Sequence, residues 1–523
     1  MRKKMVSVWM IAFVFILVLA GCTKGSNDNT AGSKANGENN TGVTKEQAKS
    51  EQKEQTFTML LGSHGSWPYK EDWKMANWIE ENLGAQIKVE SPSGSMGEAI
   101  NLYIASGTLP DIVYMGNLDD ANIFGQQGVF ANILDYIEYM PNLQAWMKKY
   151  PNIASSWLAS DGAMYMLPNE GFGEANRITW MYRADIFKKH GLTPPTTWDE
   201  LYEVSKKLKQ LYPDSYPFTI WAGIGNMITW AAPQFGTASF RWYGNGYYQD
   251  ESGKVHYGPA DDNFKLMLQY YHKFYKDGLM PPDWVTLDLA QYTNLVSTDR
   301  TFMTADYIAQ IDYYTTTMRQ TNPDFTYQFM PPPAGVAGMN KNVFHHVLEQ
   351  GLSFSAKSDK IVDILSAYDW FYTEEAREVV SWGVGEELFV KENGERKMNP
   401  KFLDVSAMRT ETGWSTNAQY IWYDFNAWLV PSVQEVKDAY KQAWEGNYYE
   451  EYKTKPQLTE AEQSASSIKK ADILKHVEEN IVKFILGDRS FDEWDQYVAE
   501  LEKLGMNDMI DLASKAYARM EKN

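Results

Sequence analysis

From residue 58 onward the spacing of apolar positions changes period several times. Thr58-Met59-Leu60-Leu61 is an apolar run of strand length, followed by a Gly/Ser loop. Trp73, Ala76, Ile79 and Leu83 then recur every three or four residues, which places them on one face of a helix. Ile87 and Val89 alternate as in a half-buried strand, a second helix runs to Ile104, and Asp111 to Met115 reads as a third strand. This order predicts an α/β body with a parallel sheet, since parallel neighbours need a crossover helix between them. Pro110 keeps Leu109 out of the helical region, and Gly107 suits a helix C-cap. In "GLTPPTTWDEL" two prolines stop any preceding helix, and Thr197 with Glu200 has capping-box spacing, so Trp198 is expected to pack within the scaffold. No internal repeat is visible. In open α/β sheets ligands bind beyond the carboxyl ends of strands, which marks the loops 62–69 and 116–120.

The N-terminus follows a different pattern. Arg2, Lys3 and Lys4 precede an apolar run from Met5 to Ala20 broken only by Ser7, the layout of a secretory signal. Leu19-Ala20-Gly21-Cys22 resembles the lipobox of bacterial lipoproteins, which implies cleavage before Cys22 and lipidation of its sulfur. A transmembrane anchor is the alternative, but the run is shorter than the ~20 residues a spanning helix needs. Cys22 is the only cysteine, so no disulfide partner exists for it. Residues 23–55 contain no aromatic, Leu or Ile and cannot bury a core; a flexible tether of this length reaches roughly 30 Å. The expected layout is a signal peptide over 1–21, a lipidated tether over 22–55, and a folded body from Thr56, held at the extracytoplasmic face of a bacterial membrane.

The body is longer than one ordinary domain, and two lobes are the natural expectation. The formal charge of −19 becomes more negative by three once the signal is removed, which argues against nucleic acid as a partner. Nineteen Trp and 33 Tyr exceed what a core of this size requires, so some rings are expected to face a ligand.

Enzyme signatures are absent from the sequence: it holds no G-x-S-x-G, P-loop or H-E-x-x-H. "GFGEAN", "GIGNMI", "GNGYYQ" and "GVGEEL" lack the third glycine of a dinucleotide site and read as loops. His345 and His346 would point to opposite faces of a strand, which disfavours a shared metal. A carboxylate pair of the glycosidase type stays open, because its defining separation is spatial.

"LYIASGTLPDIVYM" (102–115), "DGAMYMLPN" (161–169), "MYRADIFKKHGLTPPTTWDELYEVSKKL" (181–208), "LEQGLSFSAKSDKIVDILSAYDWFYTEEAREVVSWG" (348–383) and "FILGDRSFDEWDQYVAELEKLGM" (484–506) occur in this order. Together with the lipobox they resemble extracellular solute-binding proteins of the family-1, sugar-binding type that serve ABC importers. The resemblance implies a two-lobe periplasmic-binding-protein-like fold, each lobe a mostly parallel sheet flanked by helices, with the ligand cleft between them. It implies a first lobe of 56–167 plus 306–372 and a second of 168–305 plus 373–523, with crossings near Leu167-Pro168-Asn169, Ala305-Asp306-Tyr307 and Tyr372. Some large relatives carry an EF-hand-like calcium loop, but "LKQLYPDSYPFT" here has no such series of acidic residues, so no metal and no cofactor are expected.

The function so implied is capture of a saccharide, with an oligosaccharide expected, and its delivery to ABC permease subunits by a monomeric receptor that is not an enzyme. Pyranose rings offer C–H faces to Trp and Tyr, and hydroxyl rims to Asp, Glu, Asn, Gln and Arg. The candidate ligand residues are Trp67, Asn117 and Asp119 on the first-lobe loops; Trp221, Trp230, Arg241 and Trp242 in the second lobe; Glu170, Asp306 and Tyr307 at the crossings; and Glu349, Gln350, Trp382 and Glu386 further on. Arg177, Arg183 and Arg241 keep a uronic acid open, with neutral glycans the simpler expectation. A secreted carbohydrate-active enzyme and a peptide-binding protein of the same fold are the alternatives.

Overall fold

The computed structural model describes residues 55–62, 67–170, 174, 177–241, 246–343, 350–416, 423–450 and 455–520. The expectations for Cys22 and its tether, Trp242, the His345-His346 pair and Glu349 lie outside the described residues. Within them the strands are β1 (Gln55–Leu60), β2 (Ala85–Glu90), β3 (Ile112–Met115), β4 (Ile178–Arg183), β5 (Tyr247–Gln249), β6 (Val255–Tyr257), β7 (Met303–Tyr307), β8 (Tyr327–Met330), β9 (Gly351–Phe354), β10 (Phe389–Glu392) and β11 (Glu395–Met398).

The first sheet has the order β2-β1-β3-β9. β1 runs parallel to β2 and β3, and β9 closes one edge antiparallel to β3. The helix Lys74–Leu83 buries Met75, Ala76, Ile79 and Leu83, matching the expected period. The helix Met96–Ser106 starts at Ser95, whose hydroxyl accepts from the Glu98 N–H at 3.3 Å, and stops at Gly107 with φ of 70°. Asp111 clips this sheet together, accepting from the Thr58 N–H and hydroxyl at 2.9 Å each and from the Ser358 hydroxyl at 2.7 Å.

The second sheet has the order β7-β4-β8, and both neighbours are antiparallel to β4. The expectation of a mostly parallel sheet therefore holds for the first lobe and is corrected for the second. β7 and β8, joined through the helix Ala309–Met318, share one direction, and β4 is inserted between them in the other. A parallel bridge between Phe218 and Met303 extends the sheet beyond β7.

Pairing and packing also redraw the expected lobe boundaries. Tyr327–Met330, placed with the first lobe by sequence, hydrogen-bonds to β4 in the second sheet. Trp382, Trp414, Trp428 and Tyr440, placed with the second lobe, sit in the core that contains the first sheet. Val477, Phe484 and Trp494 do join the second core. Apolar burial, not chain order, decides membership: the chain stays in the first core through Tyr372, where a crossing was expected, and joins the second only near its end.

β4 shows how the two cores meet. Trp180 stacks on Phe218 in the second core, with centroids 5.6 Å apart and planes at 9°, while its neighbour Met181 points into the first. Trp198 has no exposed surface and presents edge contacts to Trp180, Phe218, Phe235, Tyr271 and Phe274, so it is scaffold. Thr197 caps its helix by accepting from the Glu200 N–H at 3.1 Å, but the Glu200 carboxylate reaches Thr196, one residue earlier than a capping box requires.

Candidate functional site

The segments expected to carry the crossings are bonded to the strands and to one another. The Leu167 N–H donates to the Leu352 carbonyl at 2.9 Å, the Asn169 side-chain amide donates to the Gln350 carbonyl at 2.7 Å, and the Tyr372 hydroxyl donates to the Pro168 carbonyl at 2.7 Å. Beyond β7, the Ile308 N–H donates to the Arg177 carbonyl at 2.9 Å. Gln350 also accepts from the buried Tyr114 hydroxyl at the end of β3, so the start of β9 and the first crossing form one hydrogen-bonded corner.

Three indole–carboxylate hydrogen bonds surround these segments. The Trp146 Nε1–H donates to Glu170 at 2.9 Å, and the Tyr150 hydroxyl adds a second bond to the same carboxylate at 3.0 Å. The Trp221 Nε1–H donates to Asp306 at 2.7 Å. The Trp382 Nε1–H donates to Asp424 at 3.2 Å. In each case the carboxylate satisfies an indole donor that would otherwise be costly near an apolar wall, and it fixes the ring plane.

Asp306 is fully buried, and burial pushes its pKa up to about 7, with the Trp221 and Tyr307 hydrogen bonds opposing the rise. It does not reach solvent, so the expectation that it touches ligand directly is corrected: its side chain acts on Trp221. Trp230 is likewise buried, its ring 6.5 Å from Trp221 and 6.1 Å from Tyr307 at steep angles, and serves as their backing. Trp221 and Tyr307 keep part of their surface exposed. Trp382 is buried beneath Arg396, whose guanidinium lies 4.2 Å from the ring centroid, and borders a surface recess of about 850 Å³ with Met398, Leu429 and Lys437.

The other expected residues lie apart from these pairs. Asn117 is exposed and caps the helix Leu118–Gln126, accepting from the Asp120 N–H at 2.7 Å, and Asp119 sits exposed in that helix's first turn. Trp67 lies under Arg409, 4.6 Å from ring to guanidinium. Arg241 is exposed and ion-paired with Glu478 on the helix Glu460–Leu486. Glu386 is exposed in the turn before β10, where its carbonyl accepts from Asn399 at 2.8 Å. The two other arginines considered for a uronate are committed to structure. Arg177 is buried with Glu174, between the Trp444 and Tyr449 rings, and Arg183 is buried with Asp185 and Asp299.

Sequence reasoning passed over Trp146, Tyr150, Tyr114 and Asp424. Trp146 and Tyr150 are four residues apart, the spacing of a buried helix stripe, and that period hides their polar ends. Among the described residues no group of three or more His, Cys, Asp or Glu is placed to hold a metal, and no helix is long and apolar enough to cross a membrane.

Two α/β lobes, with rings and carboxylates gathered at the segments 167–170 and 305–308, have the frame of a two-lobed binding protein. The chain belongs to the bacterial extracellular solute-binding protein family, whose model matches residues 46–378. It is 23% identical over 492 residues to the fructooligosaccharide ABC transporter substrate-binding protein FusA of Streptococcus pneumoniae serotype 4, covering 85% of this chain and 86% of the relative. It is 25% identical over 307 residues to the lipoprotein LipO of Bacillus subtilis, covering 57% of this chain and 54% of LipO. The crystal structure of the alginate-binding protein AlgQ2 without calcium ion superposes with a TM-score of 0.75 at 22% identity, covering 89% of this chain and 98% of that one.

Proposed function

We propose that this protein is the lipid-anchored receptor of an ABC importer, that it captures an oligosaccharide by closing its lobes, and that it passes the sugar uncleaved to the permease. The observation that carries this reading is the Trp221–Asp306 pair, in which a carboxylate fixes a partly exposed indole beside the partly exposed Tyr307. Orienting aromatic planes beside acceptor groups is what recognition of a pyranose or furanose needs, because the ring face is apolar and the rim is hydroxylated. FusA is named for fructooligosaccharide and AlgQ2 for alginate, which supports a saccharide as the ligand class.

Trp221, Tyr307, Glu170 and Gln350 are the residues we assign to the ligand among those described, with Trp242 and Glu349 retained from the sequence. A neutral glycan fits best, since Arg177, Arg183 and Arg241 all sit in ion pairs. Lobe closure would convert occupancy into a shape that a permease reads. Membership of an extracellular family and similarity to the lipoprotein LipO support the membrane anchor at Cys22. A thermal-shift screen with neutral and acidic oligosaccharides and with peptides tests the reading, because a ligand at a hundredfold its Kd adds about 2.7 kcal/mol of stability. Shifts with glycans recovered intact are expected. Shifts with peptides alone, or new reducing ends in the recovered sugar, would overturn it.

A further inference from the structure

Trp221 is held at its indole N–H, at one ring contact and through the backbone that follows it. Its Nε1–H donates to one Asp306 oxygen at 2.7 Å, and the other oxygen accepts from the Tyr307 N–H at 2.8 Å. Trp230 meets the indole edge-on. The next residue, Ala222, has φ of 63°, an uncommon conformation for a residue with a side chain, and its N–H donates to the Leu287 carbonyl at 2.9 Å. Gly223 follows with φ of 59°, and a Cβ there would come within 2.4 Å of the Val285 carbonyl oxygen. The backbone beyond Trp221 is thus clamped by the 285–287 segment while the indole is clamped by Asp306, and the ring remains partly exposed between them.

We infer that Asp306 is a positioning residue for the saccharide site: it sets the plane of Trp221 as a stacking platform without touching the ligand. The inference rests on the saccharide reading for what stacks on the ring, and on geometry alone for what holds it. Tyr292 from the helix Leu289–Ser297, Tyr314 from the helix Ala309–Met318 and Tyr327 from β8 all interact electrostatically with Asp306, and Arg183 lies beside Tyr327. The three hydroxyls are buried and lack hydrogen bonds of ordinary geometry. Among the described residues none of the groups acting on Asp306 is a cation, so the carboxyl ionises against a low-polarity wall, and its pKa is pushed up to about 7. A charged acceptor holds an indole N–H more firmly than a neutral one, so the platform stiffens as Asp306 ionises.

The experiment uses the full chain labelled with 15N-tryptophan, with the Trp221 indole signal assigned by its loss in Trp221→Phe. Without any ligand, that signal should move with pH, with a midpoint near 7 as the carboxyl's environment requires, and the movement should vanish in Asp306→Asn. Calorimetry with the panel oligosaccharide that gives the largest thermal shift should then show a loss of about tenfold in affinity for Asp306→Asn, and little further loss when that change is made in Trp221→Phe. If Asp306→Asn does not fold, Asp306→Glu takes its place: a carboxylate one methylene longer should displace the Trp221 indole signal, and a signal left where the wild type has it would overturn the pairing. A Trp221 signal that Asp306→Asn leaves unmoved at every pH, or equal affinity losses in both backgrounds, would overturn the inference. Should no oligosaccharide bind the wild type while the indole signal still titrates, the saccharide reading fails and the positioning of Trp221 by Asp306 stands.

Discussion

The rings of Trp146 and Tyr372 stand against each other with centroids 5.7 Å apart and planes at 60°, and both end on the segment 168–170. Trp146 donates to the Glu170 side chain and Tyr372 to the Pro168 carbonyl. The helix Pro141–Lys149 that carries Trp146 has no cap of its own at Met140; Asp369 supplies one from three residues before Tyr372, accepting from the Asn142 and Leu143 N–H groups at 3.1 and 2.8 Å. The segment 168–170 is therefore braced by a helix that Asp369 caps.

Glu170→Ala removes the acceptor shared by Trp146 and Tyr150 and leaves two donors at a half-buried site. A loss of about 1–3 kcal/mol in urea unfolding is expected, together with weaker oligosaccharide binding per folded molecule. Loss of neither would mean that the pairing is incidental.

Trp198 and Trp221 provide a contrast between packing and binding. Trp198→Ala empties a fully buried site and should cost about 3–5 kcal/mol of stability while leaving affinity per folded molecule unchanged. Trp221→Ala should weaken binding by about 1–3 kcal/mol with a smaller effect on the unliganded protein. Calorimetry and denaturant titration on both variants check the split, and a reversed pattern would place the site elsewhere.

Much of this division was legible in the sequence for the first lobe and little of it for the second. Ile87 and Val89 alternate because β2 is exposed on one face, and Gly107 and Pro110 punctuate a local helix-to-strand turn. β4 is buried on both faces, so "ITWMYR" carries no alternation, and its pairing with Tyr327–Met330 depends on contacts about 145 residues apart that no local period encodes. The same holds for the site. Trp221 was legible as an aromatic beside glycine, but the burial of Asp306 behind it, and of Arg177 between two rings, arises only from tertiary packing.

Asp306 also makes a stability prediction with a definite sign. Its folded pKa, about 7, lies above the ordinary 3.8, so the folded state holds a proton that the unfolded state has released between those values. Its contribution to stability is present at low pH and is lost as pH rises toward 7, after which it is flat. Asp261 and Asp312 are raised as well, mainly by burial, so the reading is the difference between wild type and Asp306→Asn. The variant should lose less melting temperature than wild type between pH 5 and about 7, the folded pKa. Parallel curves would show that Asp306 is ionised throughout.

The anchor is tested at Cys22. The protein should partition into detergent with membranes, and Cys22→Ala should leave an uncut precursor or release the chain. Acylation that persists in the variant would contradict a lipobox.

Titration calorimetry of the wild-type body against a graded series of neutral oligosaccharides tests the central claim most directly. Saturable binding to a single site is expected, with a Kd that improves with chain length until the cleft is filled and with the sugar recovered uncleaved. Absence of heat across the whole series, with saturable binding of peptides instead, would contradict it.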